Sequence, residues 1–128
     1  KYQDPSSGTW YQVTDQGARE GNYLESSATA LFIYTLAKAI NKGYIGNEYI
    51  EPTQKAFDGM VKTFTRLEED GSYTITNCCA VAGLGGDSKR YRDGSFEYYI
   101  SEPIIENDPK SVGSFILAAI EYEKMTKK

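Results

Sequence analysis

A carboxylate and two hydroxyls stand side by side at Glu25, Ser26 and Ser27, where a long apolar segment begins. If they face a cavity, these groups can hydrogen-bond the hydroxyls of a sugar. The same residues also suit a structural part, with Glu25 completing a helix cap and the serines serving as small packing residues. The sequence gives the two interpretations about equal weight.

A second candidate site is the turn NDPKS at residues 107–111, where a helix is predicted to begin. The free N–H groups of a helix N-terminus attract anions such as a uronate carboxylate, and Lys110, followed by Ser111, would strengthen that attraction. The alternative is that Asp108 caps the helix and occupies those donors itself. The strong preference of Asp for this position favours the alternative.

A third candidate is a charged group around a turn, formed by Arg92, Asp93 and Glu97, with three glycines nearby between residues 83 and 86. Glycines let a backbone approach a ligand closely. The spacing fits neither common phosphate-binding loop. An ion pair between Arg92 and a neighbouring acid is the favoured alternative.

Trp10 and Tyr11 are two adjacent aromatic residues in a polar N-terminal region. Aromatic rings on exposed loops can stack on a sugar face. They can equally pin a loop to the helices beneath it, and for at least one of the two we favour that interpretation.

The residue types present exclude several kinds of chemistry. The chain has no His, and its two cysteines, Cys78 and Cys79, are adjacent. Zinc sites, Cys-His pairs and Ser-His-Asp triads are therefore not expected, nor is a cofactor. Acid or base chemistry would have to come from carboxylates, Lys or Tyr. Because 18 acidic residues offer many pairs, the sequence assigns no catalytic residue.

Size and charge further narrow the classes of protein to which the chain can belong. A chain of 128 residues predicts a single domain over residues 1–128. The net charge of -4, with the basic residues scattered, disfavours nucleic acid and anionic membranes as partners. No apolar run reaches the roughly 18 residues of a membrane span, and no signal peptide is visible. Because the chain starts at Lys1 without Met, this does not exclude export.

The pattern predicts three helices. The first has Asn22 as N-cap, with Glu25 completing a capping box, and runs to about Asn41, before Gly43. It is apolar almost all round, which predicts burial on more than one side. The second begins between residues 47 and 52 and runs to about residue 65, with a one-sided apolar face.

Two short strands and a last helix complete the prediction. The runs YTIT (73–76) and FEYYI (96–100) each follow an Asp-Gly pair and alternate in character, so we expect two strands, paired with each other. The last helix has Asp108 as N-cap and Pro109 at its first position. Its predicted buried residues are Val112, Phe115, Ile116, Ala119 and Ile120.

Residues 6–40 (SSGTWYQVTDQGAREGNYLESSATALFIYTLAKAI) and 81–121 (VAGLGGDSKRYRDGSFEYYISEPIIENDPKSVGSFILAAIE) carry a family resemblance. The chain resembles the unsaturated rhamnogalacturonyl hydrolases, glycoside hydrolase family 105, over nearly its whole length. In that family these motifs belong to the C-terminal part of a longer (α/α)6 barrel. The resemblance implies an all-α partial barrel of about three helices, with a short β-hairpin and long loops.

The resemblance also implies a reaction and a substrate. Enzymes of this family hydrate the C4–C5 double bond of an unsaturated uronic acid, with an aspartate as general acid, and the sugar then breaks off by rearrangement. That aspartate precedes anything that matches Lys1, so this chain should lack the acid. The implied partner is an unsaturated uronic-acid oligosaccharide. Localisation stays open between bacterial cytoplasm and export.

Three hypotheses follow. The first is the C-terminal part of such a hydrolase, inactive alone and exposing apolar helix faces through which it self-associates. The second is a stand-alone carbohydrate-binding or structural helical module without catalysis. The third is a small complete enzyme that uses its own carboxylates, such as Glu25 or Asp93, although three helices are few for a complete pocket.

Overall fold

The computed structural model describes residues 1–17, 19–87 and 91–127. Within them lie the helices α1 (Ser26–Asn41), α2 (Ile50–Phe64), the short α3 (Phe96–Ser101) and α4 (Pro109–Thr126). The strands are β1 (Thr65–Leu67), β2 (Tyr73–Ile75), β3 (Cys78–Cys79) and β4 (Ile104–Ile105). They form two antiparallel pairs, β1 with β2 and β3 with β4. The predicted helical class with a short β-hairpin is confirmed. No helix in the described part of the chain is long and apolar enough to cross a bilayer.

α1 and α4 lie side by side and run in the same direction. At their N-terminal ends the hydroxyl oxygens of Ser26 and Ser111 are 2.9 Å apart. Towards the other ends, the side-chain amide of Asn41 donates to the Glu121 carbonyl at 2.9 Å. The buried residues of both helices are mostly small: Ser26, Thr29, Ala30, Ile33 and Ala37 on α1, and Ser111, Ser114, Phe115, Ala118 and Met125 on α4. Small side chains let two helix backbones approach closely.

The core lies where α2 packs against this helix pair. Ile33, Met60, Phe64 and Phe115 supply most of its volume, with alanines from all three helices between them. Phe57 of α2 also stacks on a tyrosine near the end of α4, with ring centroids 3.8 Å apart. Burial of these apolar side chains is the main stabilising contribution available to a chain of this size.

α1 begins three residues later than the predicted start after Asn22, and Glu25 itself is the N-cap. The side chain of Asn22 is held by the preceding loop, because its amide donates to the carbonyls of Val13 and Gln16. It is therefore unavailable to the helix, and the predicted Asn22 cap is wrong. The predicted end at Asn41 is confirmed, and Gly43 follows with a left-handed φ of 70°.

α2 and α4 begin where the sequence predicts. A 3₁₀ turn at Asn47–Tyr49 leads into α2, and Asp108 caps α4 with Pro109 at its first position. The predicted buried side of α4 is wrong in part, because Ile116, Ala119 and Ile120 are exposed. Phe115 is buried as predicted, but small residues such as Ser111 and Ala118 form much of the buried side, and an aliphatic pattern cannot single them out.

The run FEYYI is the helix α3, and the predicted strand there is wrong. The Ser95 hydroxyl accepts a hydrogen bond from the Tyr98 N–H at 3.1 Å, which starts the helix. The strand predicted within YTIT is present as β2, but its partner is β1, in the register Thr65↔Ile75. Asp70 and Gly71 form the turn between these two strands, as an Asp-Gly hairpin signal predicts.

Candidate functional site

Glu25 lies at the start of α1, and its side chain is enclosed by protein. The residue is 1 % exposed. One carboxylate oxygen accepts the Ala28 N–H at 2.6 Å, and the other accepts the Cys79 N–H at 3.0 Å and the Ser27 hydroxyl at 2.8 Å. Both oxygens are therefore engaged within the protein, and the carboxylate joins α1 to β3.

Ser26 and Ser111 meet at the N-terminal ends of the two parallel helices. Their hydroxyls hydrogen-bond each other at 2.9 Å, and both residues are fully buried. This contact joins two predicted site residues that are 85 positions apart in the chain. The contact holds the two helices together and is not open to a ligand, because neither hydroxyl faces solvent.

The start of α4 carries its own anion. Asp108 accepts the Lys110 N–H at 2.8 Å and the Lys110 ammonium at 2.7 Å. These hydrogen bonds lower the pKa of Asp108 and raise the pKa of Lys110. The ammonium also donates to the Ala80 carbonyl at 3.0 Å, which ties the helix to the segment after β3. Asp108 thus occupies the helix N-terminus that was predicted as a possible uronate site, while the Lys110 side chain stays half-exposed.

Arg92 lies beside a buried carboxylate. Its Nε is 3.7 Å from a carboxylate oxygen of Glu102, whose side chain is 0 % exposed against 31 % for Arg92. The Tyr98 hydroxyl accepts the Gly83 N–H at 3.1 Å. Partial desolvation, and then a hydrogen bond to Glu102, raises the pKa of Tyr98. Arg92 is also joined to Gly85 by two backbone hydrogen bonds of 2.8 and 2.9 Å.

The predicted charged group is not gathered into one cluster, because each member has a separate partner. Asp93 accepts the Ser95 N–H at 2.8 Å within its own turn, and hydrogen bonds from Ser95 lower the pKa of Asp93. Glu97 pairs with Arg19 of the N-terminal segment. The Arg19 guanidinium also lies 3.8 Å from the centre of the Phe96 ring, a cation–π distance.

Trp10 and Tyr11 hold the N-terminal segment against α1. The Trp10 carbonyl accepts the Glu25 N–H at 2.9 Å, and its ring meets Phe32 edge-on with centroids 5.1 Å apart. Tyr11 bridges to Leu24, and its ring covers Gly17. Both residues are half-buried, so part of each ring still reaches the surface.

The described residues 1–17, 19–87 and 91–127 contain no group of three His, Cys, Asp or Glu side chains arranged to hold a metal ion. Cys78 is fully buried, and burial raises the pKa of its thiol, so it does not form a reactive thiolate readily.

The sequence did not single out Glu102 and Tyr98. Tyr98 contacts Gly83, which lies 15 positions earlier, and Glu102 lies beside Arg92, so no local pattern marks these contacts.

The family model described as Glycosyl Hydrolase Family 88 matches residues 1–126. The chain belongs to this family. The resemblance to family 105 is also confirmed, because solved structures of that family share the fold.

One such structure is a family 105 glycoside hydrolase from C. acetobutylicum, 46 % identical to this chain with a TM-score of 0.91. The match covers 95 % of this chain and 33 % of that one. A possible family 105 member from Klebsiella pneumoniae is 28 % identical with a TM-score of 0.71, over 98 % of this chain and 28 % of its own. This chain is therefore similar to about a third of these longer glycoside hydrolases.

Curated relatives are also longer. Protein Atu3128 of Agrobacterium fabrum and the 24.9 kDa protein in the picA locus of Rhizobium radiobacter are each 37 % identical to this chain over 119 residues. The match covers 90 % of this chain and 51 % of each relative. This family 88 chain spans about half the length of the curated relatives that it matches.

Proposed function

We propose that this chain is part of a glycosidase that acts on unsaturated galacturonyl-rhamnose oligosaccharides, as in pectin breakdown, and that it supplies part of the sugar-binding wall. The observation that carries the proposal is the match to the C. acetobutylicum family 105 glycoside hydrolase. The reaction is hydration of the C4–C5 double bond of the terminal uronic acid. Rearrangement of the hydrated sugar then releases the rest of the oligosaccharide.

In this proposal Arg92 and Lys110 face the substrate. An unsaturated uronic acid carries a carboxylate next to its double bond, and the planar guanidinium fork of Arg matches a carboxylate with two hydrogen bonds. The Arg92 side chain is partly exposed while its partner Glu102 is enclosed. Glu102 thus supports Arg92 from inside the protein and leaves its outer surface to the sugar.

The other predicted site residues hold the elements of this wall in place. Glu25, Ser26 and Ser111 fix the N-terminal ends of α1 and α4 through buried hydrogen bonds. Trp10 and Tyr11 hold the N-terminal segment in place, and their exposed edges are available to a sugar ring. Asp93 fixes the turn that follows Arg92.

Catalysis requires a proton donor within reach of the reacting carbon. The resembling family takes that proton from an aspartate upstream of the residues that match this chain. We therefore propose that this chain binds the sugar without turning it over. Glu25 and Asp108 agree with binding without catalysis, because both carboxylates are engaged in hydrogen bonds at helix N-termini.

Titration calorimetry with an unsaturated galacturonyl-rhamnose disaccharide tests the proposal. We expect saturable binding with no loss of the ultraviolet absorbance of the double bond. Arg92→Gln should weaken binding by about tenfold, since it removes a charge-assisted pair. Arg66→Gln is the matched control, because Arg66 pairs with Glu106 beside the β1–β2 hairpin. Undetectable binding, or equal losses in both variants, would refute the proposed wall.

We also propose that the chain self-associates when no partner is present. Large apolar side chains of α1 and α4 are exposed, among them Leu31, Phe32 and Ile116. Exposed apolar patches of this kind mark association surfaces. Sedimentation across a range of protein concentrations checks this: a strictly monomeric chain at high concentration would contradict it.

A further inference from the structure

A buried carboxylate lies beside Arg92. Glu102 follows the last residue of α3, and its side chain is 0 % exposed. One of its oxygens is 3.7 Å from the Arg92 Nε, and the Tyr98 hydroxyl donates a hydrogen bond to the carboxylate. A carboxylate removed from water is costly unless charged or hydrogen-bonding groups compensate it. Arg92 and Tyr98 are two such groups, so Glu102 keeps both side chains close to it.

The backbone around Glu102 is fixed to the rest of the fold. β4 follows directly and pairs with β3, and the Ala80 N–H donates to the Pro103 carbonyl at 2.9 Å. The Cys79 N–H of β3 in turn donates to Glu25 at the start of α1 at 3.0 Å. The Glu102 carboxylate is therefore held on a segment that is tied to a long helix. A side chain that recognises a ligand needs support of this kind from rigid elements.

The Arg92 side chain also has a defined path across Gly83. Its Cδ and Nη1 atoms lie 3.6 and 3.7 Å from the position that a Cβ on Gly83 would take. The Gly83 N–H donates to the Tyr98 hydroxyl at 3.1 Å. Tyr98 thus bonds both the backbone next to the guanidinium and the carboxylate beside it. With Nε turned towards Glu102, the fork formed by the two Nη groups is the part of the guanidinium left for a ligand.

We propose that Glu102 and Tyr98 are positioning residues that give the sugar-binding wall a preference for a free uronate over its methyl ester. This inference rests on the proposed function, in which Arg92 faces the uronic acid. An arginine that is already held in place loses little side-chain freedom when it binds a carboxylate, whereas an unsupported one must first be ordered. The methyl ester lacks the negative charge, so it gains much less from an ordered guanidinium.

The ratio of two affinities tests the proposal. Titration calorimetry measures binding of the unsaturated galacturonyl-rhamnose disaccharide and of its uronate methyl ester to the folded chain. The unsubstituted chain should prefer the free acid by about tenfold, the value of one charge-assisted pair. Glu102→Gln and Tyr98→Phe should each reduce that preference to about twofold, because the free acid loses affinity while the ester changes little. A purely structural role would weaken both ligands alike and leave the ratio unchanged.

Two variants serve as matched controls. Glu106→Gln removes the carboxylate of a different arginine pair, the one with Arg66. Tyr99→Phe removes the neighbouring phenol hydroxyl of the same helix α3. Both should leave the preference for the free acid unchanged. Tyr98→Phe keeps the ring and the net charge, so it tests the proposal even if Glu102→Gln does not fold.

The outcomes separate this inference from the proposed function. An unchanged preference in Tyr98→Phe and Glu102→Gln would overturn the inference alone, and so would equal binding of acid and ester by the unsubstituted chain. A stronger preference for the acid in Glu102→Gln would also overturn it, because the Glu102 charge would then repel the ligand more than it orders Arg92. A chain that binds neither ligand would refute the proposed function and this inference together.

Discussion

Glu25→Ala should destabilise this chain strongly without acting on a ligand directly. The carboxylate of Glu25 caps α1 through Ala28 and accepts the buried Cys79 N–H, so it connects a helix start to a strand. It also accepts the Ser27 hydroxyl. Replacing it with Ala removes all three hydrogen bonds from the protein groups that donate them.

The expected magnitude follows from these contacts. Loss of an N-cap typically costs about 1 kcal/mol. Leaving a buried N–H such as that of Cys79 without an acceptor costs about 1–3 kcal/mol more. Together they lower the free energy of unfolding by about 3 kcal/mol, which for a chain of this length corresponds to roughly 12 °C in Tm.

Urea denaturation and thermal unfolding followed by circular dichroism measure this loss. Ser27→Ala is the matched comparison, since it removes only the hydroxyl that Glu25 accepts and should cost about 1 kcal/mol or less. Glu25→Gln keeps the volume but places a donor where an acceptor is needed, so it should fall between the two. A loss below about 1 kcal/mol for Glu25→Ala would refute the structural role. Loss of sugar binding at unchanged stability would instead mean that Glu25 contacts the ligand.

Three further predictions concern packing and charge. Gly59→Ala should lower Tm, although Ala favours helix by about 1 kcal/mol, because its Cβ would clash with the Ser7 carbonyl oxygen. Gly113→Ala in α4, where a Cβ meets nothing within 4 Å, should instead raise Tm, so equal effects would contradict this. A double-mutant cycle of Ser26→Ala and Ser111→Ala should show a coupling of about 1 kcal/mol, and independent effects would exclude their hydrogen bond. The hydrogen bond from the Ser7 N–H lowers the pKa of Asp4. The stability that Asp4 contributes is therefore present at neutral pH and lost as pH falls below the ordinary Asp pKa of 3.8. Asp4→Asn should reduce this pH dependence of the free energy of unfolding, measured by urea denaturation.

Elements whose signals are local could be predicted from the sequence. Asp108 followed by Pro109 defines the start of α4, and Gly43 with its positive φ defines the end of α1. Asn22 has the right side chain for a cap, but the loop before it competes for the same hydrogen bonds. FEYYI alternates as a strand does, and the Ser95 cap decides for a helix.

The candidate site depends on contacts that no local pattern reveals. Ser26 and Ser111 were each plausible ligand contacts, and only the packing of α1 on α4 shows that they bond each other. The sequence predicts that Arg92 pairs with a neighbouring acid, and the fold selects Glu102. The buried side of α4 is predicted only in part for the same reason: Phe115 is buried, but the close helix pair favours small residues where the sequence pattern favours Ile116 and Ile120.

The most direct test is to incubate the folded 128-residue chain with an unsaturated galacturonyl-rhamnose disaccharide and follow the ultraviolet absorbance of the C4–C5 double bond. Heat-denatured chain serves as control, and calorimetry of the same sample establishes that the sugar is bound. We predict bound sugar whose absorbance stays constant over an extended incubation. Loss of absorbance with the folded chain alone would mean that one of its own residues supplies the proton, which would contradict a wall without an acid.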